Sequence, residues 1–171
     1  MHIKTILNKC HKFKRFVYER AFFVEDEGTQ AIYVEILPRK NSAGICSGCQ
    51  RQAPGYDRLE EWKFEFIPLW GFLVFFIYRI RRVACPGCGI KVEAVPWVDG
   101  KHQQTKTYMQ FLAHWAKKLS WKEVAESFRP VGRRCFMRCS MLLLGGLERR
   151  DVSGITATGV DEIQWHRGPS I

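Results

Sequence analysis

The chain has 171 residues, 46% of them hydrophobic, which supplies apolar material for one ordinary core or two small modules and excludes a disordered chain. Its 27 Lys and Arg against 17 Asp and Glu leave a net charge of +10, a field that attracts polyanions, although a merely basic soluble protein carries the same balance. Seven cysteines do not suit an even disulfide framework, and the opening Met1, His2, Ile3 and Lys4 lead into charged residues instead of an apolar signal core, so a reduced, cytoplasmic setting is expected.

Apolar residues alternate over 22–25 and again over 32–37, separated by the turn formers Asp26, Glu27 and Gly28, which predicts a β-hairpin. Next come Cys46-Ser-Gly-Cys49, a polar link, a strand over 59–67, a break over 68–71, and a second strand over 72–83 that runs into Cys85-Pro-Gly-Cys88. The apolar run 67–78, interrupted only by Pro68 and Gly71, is too short for a hydrocarbon layer that needs about twenty residues, so it reads as buried strand and no membrane partner is expected.

From Thr105 the period changes. Tyr108, Phe111, Leu112, Trp115, Ala116 and Leu119 recur at helical spacing on one face. Ser120 followed three residues later by Glu123 is a capping box that starts a second helix, with Val124, Ala125 and Phe128 as its apolar side and Pro130 as its stop. Two short helices with little between them, and a third expected over 133–147, suit a helix-turn-helix, although half of any small helical bundle fits the same pattern. Residues 155–160 read as a strand ending at Asp161 and Glu162.

The two Cys-x-x-Cys pairs carry the most specific chemistry. Each presents two thiolates within a tight turn, for which Gly48 and Gly87 are read as the permissive positions, and Cys46, Cys49, Cys85 and Cys88 together complete a tetrahedral zinc site. Such a site has no open coordination position, so its zinc is structural; thioredoxin-like exchange is the competing reading and lacks its βα context. Cys10, Cys135 and Cys139 read as ordinary thiols, with a second metal set involving His11 or His114 as the alternative. Lys122, Arg133, Arg134 and Arg138 are the candidates for reaching DNA phosphates or base edges from the helical region, against the plainer reading of a solvated helix face. Trp115 reads as core, and Trp62, Trp70 and Trp97 stay open, with packing around the zinc module favoured.

The order of the four cysteines, then Ser120-Trp121-Lys122-Glu123-Val124-Ala125, then Gly159-Val160-Asp161-Glu162-Ile163-Gln164-Trp165 resembles the ISL-type insertion-sequence transposases. The resemblance implies an amino-terminal zinc ribbon and a helix-turn-helix ahead of an RNase-H-like domain. It also implies that Asp161 is the first of three carboxylates that hold divalent metal, Mg entering only with a complete catalytic domain.

The expected fold class is α+β, with a β-hairpin-rich zinc ribbon over 1–100, a helical helix-turn-helix bundle over 101–150 and a truncated first strand of the catalytic domain over 151–171. The expected function is a DNA-binding fragment, catalytically incomplete, that recognises the terminal inverted repeats of its element in double-stranded DNA. It would do so alone, as a homo-oligomer or beside the intact transposase. A complete enzyme whose missing domain comes from another chain is a second expectation, and a stand-alone regulator of the intact transposase a third. Residues 130–144 depart from the family pattern, and the tail from Gly168 breaks off from it, which suggests frame changes in a decaying element.

Overall fold

A computed structural model describes residues 2–26, 28–100 and 102–128. In chain order these form α1 (Ile3–Cys10), β1 (Phe16–Asp26), β2 (Thr29–Pro38), β3 (Gly44–Ile45), β4 (Gln52–Ala53), β5 (Gly55–Leu69), β6 (Phe72–Cys85), β7 (Gly89–Val92), α2 (Lys106–Trp115) and α3 (Trp121–Phe128). The class is α+β: a strand-rich sheet with three helices. The third helix expected over 133–147 and the strand expected over 155–160 lie outside the described residues.

Both expected hairpins are present and longer than their sequence signals. β1 and β2 pair antiparallel, as do β5 and β6, and the two hairpins join because β2 pairs with β6 in parallel, Ala31 opposite Leu73 through Glu35 opposite Ile77. The main sheet therefore runs β1-β2-β6-β5, with β7 pairing the last residues of β6 and β3-β4 forming a small second sheet. The polar link after Cys49 is strand, since β4 and the start of β5 occupy it. Pro68, expected to break the pattern, sits inside β5 at a register shift between Phe66 and Leu69, where an N–H missing from the ladder does least harm.

β6 is central, and its residues 74–78 are buried on both faces, which is why the sequence there is continuously apolar. Val74, Phe76, Tyr78 and Ile80 point into the main core with Val34, Ile36, Phe64 and Phe66; Phe75 and Ile77 pack with Ala31 and Tyr33 on the opposite face. Trp97 decides much of the main core. It is 3% exposed, and its ring meets Phe16, Tyr78, Phe13 and Phe64 at centroid distances of 4.9, 5.3, 5.3 and 5.9 Å, so it packs on the sheet and away from the cysteine pairs.

Helix α1 was not expected, though Ile3, Ile6, Leu7 and Cys10 stand at helical spacing. It buries Leu7 against the sheet, and the Lys4 ammonium donates to the Glu19 carbonyl at 2.6 Å. Helices α2 and α3 form their own cluster around Tyr108, Leu112 and Val124, with Phe111, Trp115, Ala116, Leu119 and Phe128 against it. Tyr108 and Leu112 of the expected face of α2 are buried and Phe111, Trp115, Ala116 and Leu119 half-buried, while Met109 and Ala113, off that face, are buried too; Ala125 of α3 is exposed instead of apolar core. Thr105 caps α2 by accepting from the Tyr108 N–H, and the Ser120–Glu123 box forms as expected: the Glu123 N–H donates to Ser120 Oγ at 3.3 Å and the Ser120 N–H to Glu123 Oε2 at 2.8 Å.

The helices are moored to the sheet. The Glu65 N–H donates to the Gln103 carbonyl at 2.6 Å and the Thr105 N–H to the Glu65 carbonyl at 2.9 Å, so residues 103–105 extend the sheet at the outer edge of β5. Ile67 of β5 packs against both clusters. No helix among the described residues is long and apolar enough to cross a membrane.

Candidate metal centre

Two turns bring the cysteines together. Cys46 and Cys49 lie in the turn between β3 and β4, which Gly44 and Ile45 pair with Ala53 and Gln52; Cys85 closes β6 and Cys88 lies in the turn that reverses it into β7. The end of β7 and the chain just after it then bind the first turn to the second, because the Ser47 N–H donates to the Val92 carbonyl at 3.2 Å and the Ala94 N–H to the Ile45 carbonyl at 2.7 Å. The 35 residues between the pairs are accounted for by β4, β5 and β6, a long excursion that returns to its starting point.

The four Sγ atoms lie within 4.8 Å of one another, with Cys49 and Cys85 at 3.5 Å. A zinc tetrahedron with Zn–S of about 2.3 Å has sulfur–sulfur edges of roughly 3.8 Å, so this spacing suits four ligands on one ion and is far from the ~2 Å of a disulfide. Four cysteines this close can hold a metal ion, and they are the only such group among the described residues. Cys46 and Cys85 are buried, Cys49 and Cys88 half-buried.

The turns work differently from the expectation. Left-handed backbone falls on the residue after each pair, Gln50 at φ 59° and Gly89 at φ 71°, and not on Gly48 or Gly87. Gly48 matters for space: a Cβ there would stand 3.2 Å from the Cys88 sulfur. The first turn directs amide groups at sulfur. The backbone N–H of Cys49 holds the Cys46 thiol below its ordinary range, and that of Arg51, with the Cys85 sulfur next, brings Cys49 down to about 6. Cys88 is pushed up to about 12 by its hydrogen bonds to Cys49 and then Cys85. The first turn thus favours the thiolate form at Cys46 and Cys49, while a further negative charge on Cys88 beside them is disfavoured.

Behind the cluster a charged pair joins it to the sheet. Glu93 stands opposite Cys46 in an isolated antiparallel bridge, and its carboxylate accepts from the Arg81 guanidinium, the Arg81 N–H and the Tyr78 hydroxyl. Burial, then the Glu93 carboxylate, raises the Tyr78 hydroxyl well above its ordinary range, so it stays a donor. Sequence reasoning missed this network; a lone Glu in 89–95 and an Arg in β6 carry no spacing signal.

Other expected site residues fall apart from the cluster. Lys122 is exposed on α3, its side chain 87% accessible and 4.0 Å from Glu126 one turn on. Arg133, Arg134, Arg138 and Asp161 lie outside the described residues, as do Cys135 and Cys139. Cys10 is exposed at the end of α1.

Two strains of Mycobacterium tuberculosis, CDC 1551/Oshkosh and ATCC 25618/H37Rv, each have a transposase for insertion sequence element IS1557 that is 29% identical to this chain over 161 residues. The chain is similar to a transposase. A match to the transposase across 90% of the chain takes in all four cysteines and both α2 and α3, wherever it begins. The chain spans about a third, 36%, of the length of the transposases it matches. No family model matches it, and no solved structure does.

Proposed function

We propose that the chain is a DNA-binding part of an insertion-sequence transposase of the ISL type, in which Cys46, Cys49, Cys85 and Cys88 hold one structural zinc ion. The observation that carries this reading is the similarity to a transposase for an insertion sequence element across nine tenths of the chain. The four-thiolate cluster supports the metal, because soft ligands in a closed tetrahedron select zinc and leave no place for a reacting water. The net charge of +10 supports a polyanionic partner.

In this reading residues 1–100 are the zinc-ribbon domain and 101–150 the helix-turn-helix domain, with α2 and α3 as its first two helices and Lys122, Arg133, Arg134 and Arg138 as DNA contacts. Residues 151–171 open the catalytic domain, with Asp161 its first carboxylate and Mg its metal when that domain is complete. The partner is double-stranded DNA at the terminal inverted repeats, met in the cytoplasm by one or more copies.

The test is binding of the purified chain to a duplex carrying those repeats and to a scrambled duplex of equal length, with zinc measured in the same sample. One zinc per chain and a preference for the repeats are expected. Zinc unchanged by Cys46→Ser with Cys85→Ser would remove the metal assignment, and equal binding to both duplexes at every salt concentration would remove end recognition.

A further inference from the structure

Two segments of the described residues carry positive charge with no acid among it. Residues 2–18 contain five Lys and Arg (Lys4, Lys9, Lys12, Lys14, Arg15) and residues 36–53 three more (Arg39, Lys40, Arg51); neither segment contains an Asp or Glu. Strand pairing puts the segments side by side: Phe16 stands opposite Pro38, and the Arg39 N–H donates to the Arg15 carbonyl at 2.8 Å.

The loop that carries Arg39 and Lys40 is anchored. The Ser42 N–H closes a turn on the Arg39 carbonyl at 3.1 Å, and the Arg81 Nη1 donates to the Ser42 carbonyl at 2.7 Å, with Arg81 itself held by buried Glu93. Lys12, Lys14, Arg39 and Lys40 are exposed, and none is ion-paired among the described residues. Two acids border the surface: Glu35, engaged by Arg20 at 2.5 Å, and exposed Glu19, whose backbone carbonyl accepts from the Lys4 ammonium. The loop then runs through β3 to Cys46, so the surface reaches the first cysteine turn.

We propose that Lys12, Lys14, Arg39 and Lys40 form a phosphate-binding surface for duplex DNA, separate from α2 and α3. This rests on the DNA-binding reading above. Exposed like charges with no acid among them repel one another until a polyanion covers them, and their work is to position the protein on a backbone without reading sequence. A duplex fits better than a single strand. Binding of single strands relies on aromatic rings between the charges, and the large exposed aromatics among the described residues, Phe22, Phe23, Tyr56 and Trp70, lie outside both segments.

The test measures affinity of the zinc-loaded chain for a mixed-sequence duplex without element ends, over a range of salt concentrations. Replacing all four residues by Gln should flatten the slope of log K against log salt by about 3 to 4 and weaken binding at least tenfold at low salt, zinc content and thermal midpoint being unchanged. The charge-keeping set Lys12→Arg, Lys14→Arg, Arg39→Lys and Lys40→Arg should retain the original slope. If the wild-type chain binds and the Gln variant keeps its slope, this surface is overturned while the DNA-binding reading stands. If the wild-type chain binds no duplex at any salt, both fall. Loss of single-stranded RNA binding with duplex binding intact would overturn the surface in favour of RNA.

Discussion

Arg81 and Glu93 form a forked ion pair directly behind the cysteine cluster, with Arg81 Nη2 and Nε 2.7 and 3.0 Å from Glu93 Oε2 and their side chains 14% and 1% exposed. The pair spans β6 and the residue opposite Cys46, and it also holds the 39–43 loop through Ser42. Removing one partner leaves the other charged and buried. Glu93→Ala should therefore cost roughly 3 kcal/mol in denaturant unfolding, and Arg81→Met combined with Glu93→Leu should recover much of it. A Glu93→Ala protein as stable as wild type would show that the pair is not what fastens the turn to the sheet.

Metal retention should depend on pH with a definite sign. In the metal-free protein Cys88 lies at about 12, so at neutral pH its proton must leave when a metal binds, and affinity rises as pH rises. Cys49 lies at about 6; below that pH a second proton must leave and the dependence steepens. Competition with a chromophoric chelator should show log K rising by at least about one per pH unit between pH 6 and 8, and faster below 6. A flat profile would mean that thiolates are not the ligands.

The capping box makes α3 sensitive to acid. Hydrogen bonds from the Ser120 hydroxyl, then the Ser120 N–H, hold the Glu123 carboxyl below its ordinary value. A carboxyl depressed in the folded state adds stability that is complete above its unfolded pKa and is lost as pH falls through the folded value. Ser120→Ala should destabilise α3 by about 1 kcal/mol and reduce the acid-induced loss of helix signal below pH 4.5 seen by circular dichroism. Identical acid profiles for the variant and the wild type would remove the box from the account.

Trp70 sits at the β5–β6 turn with φ 51°, followed by Gly71 at φ 83°, and is 79% exposed. Both residues have the positive φ of a primed hairpin turn, in which Asn-Gly is the favoured pair and a bulky residue is strained. Trp70→Asn should raise stability by about 1 kcal/mol, read as a higher thermal midpoint. A lower midpoint would show that the exposed indole makes a stabilising contact.

Features set by near neighbours were legible in the sequence. The Cys-x-x-Cys pairs, the Ser120–Glu123 box, the face of α2 and the two hairpins each depend on residues a few positions apart, and short-range sterics and hydrogen bonding fix their geometry in any context. Their failures were local too: left-handed backbone falls on Gln50 and Gly89 because each turn completes its reversal one residue after the second cysteine.

Tertiary structure alone decided what depends on residues far apart. The parallel pairing of β2 with β6 joins the two hairpins into one sheet with Trp97 in its core, and so brings the 2–18 and 36–53 segments into the same fold as the cysteine turns. It also seats Glu93 against Arg81, a pair with no sequence periodicity to announce it. Such contacts are chosen by the burial of whole faces and the satisfaction of buried charge, quantities that exist only once the chain has closed on itself.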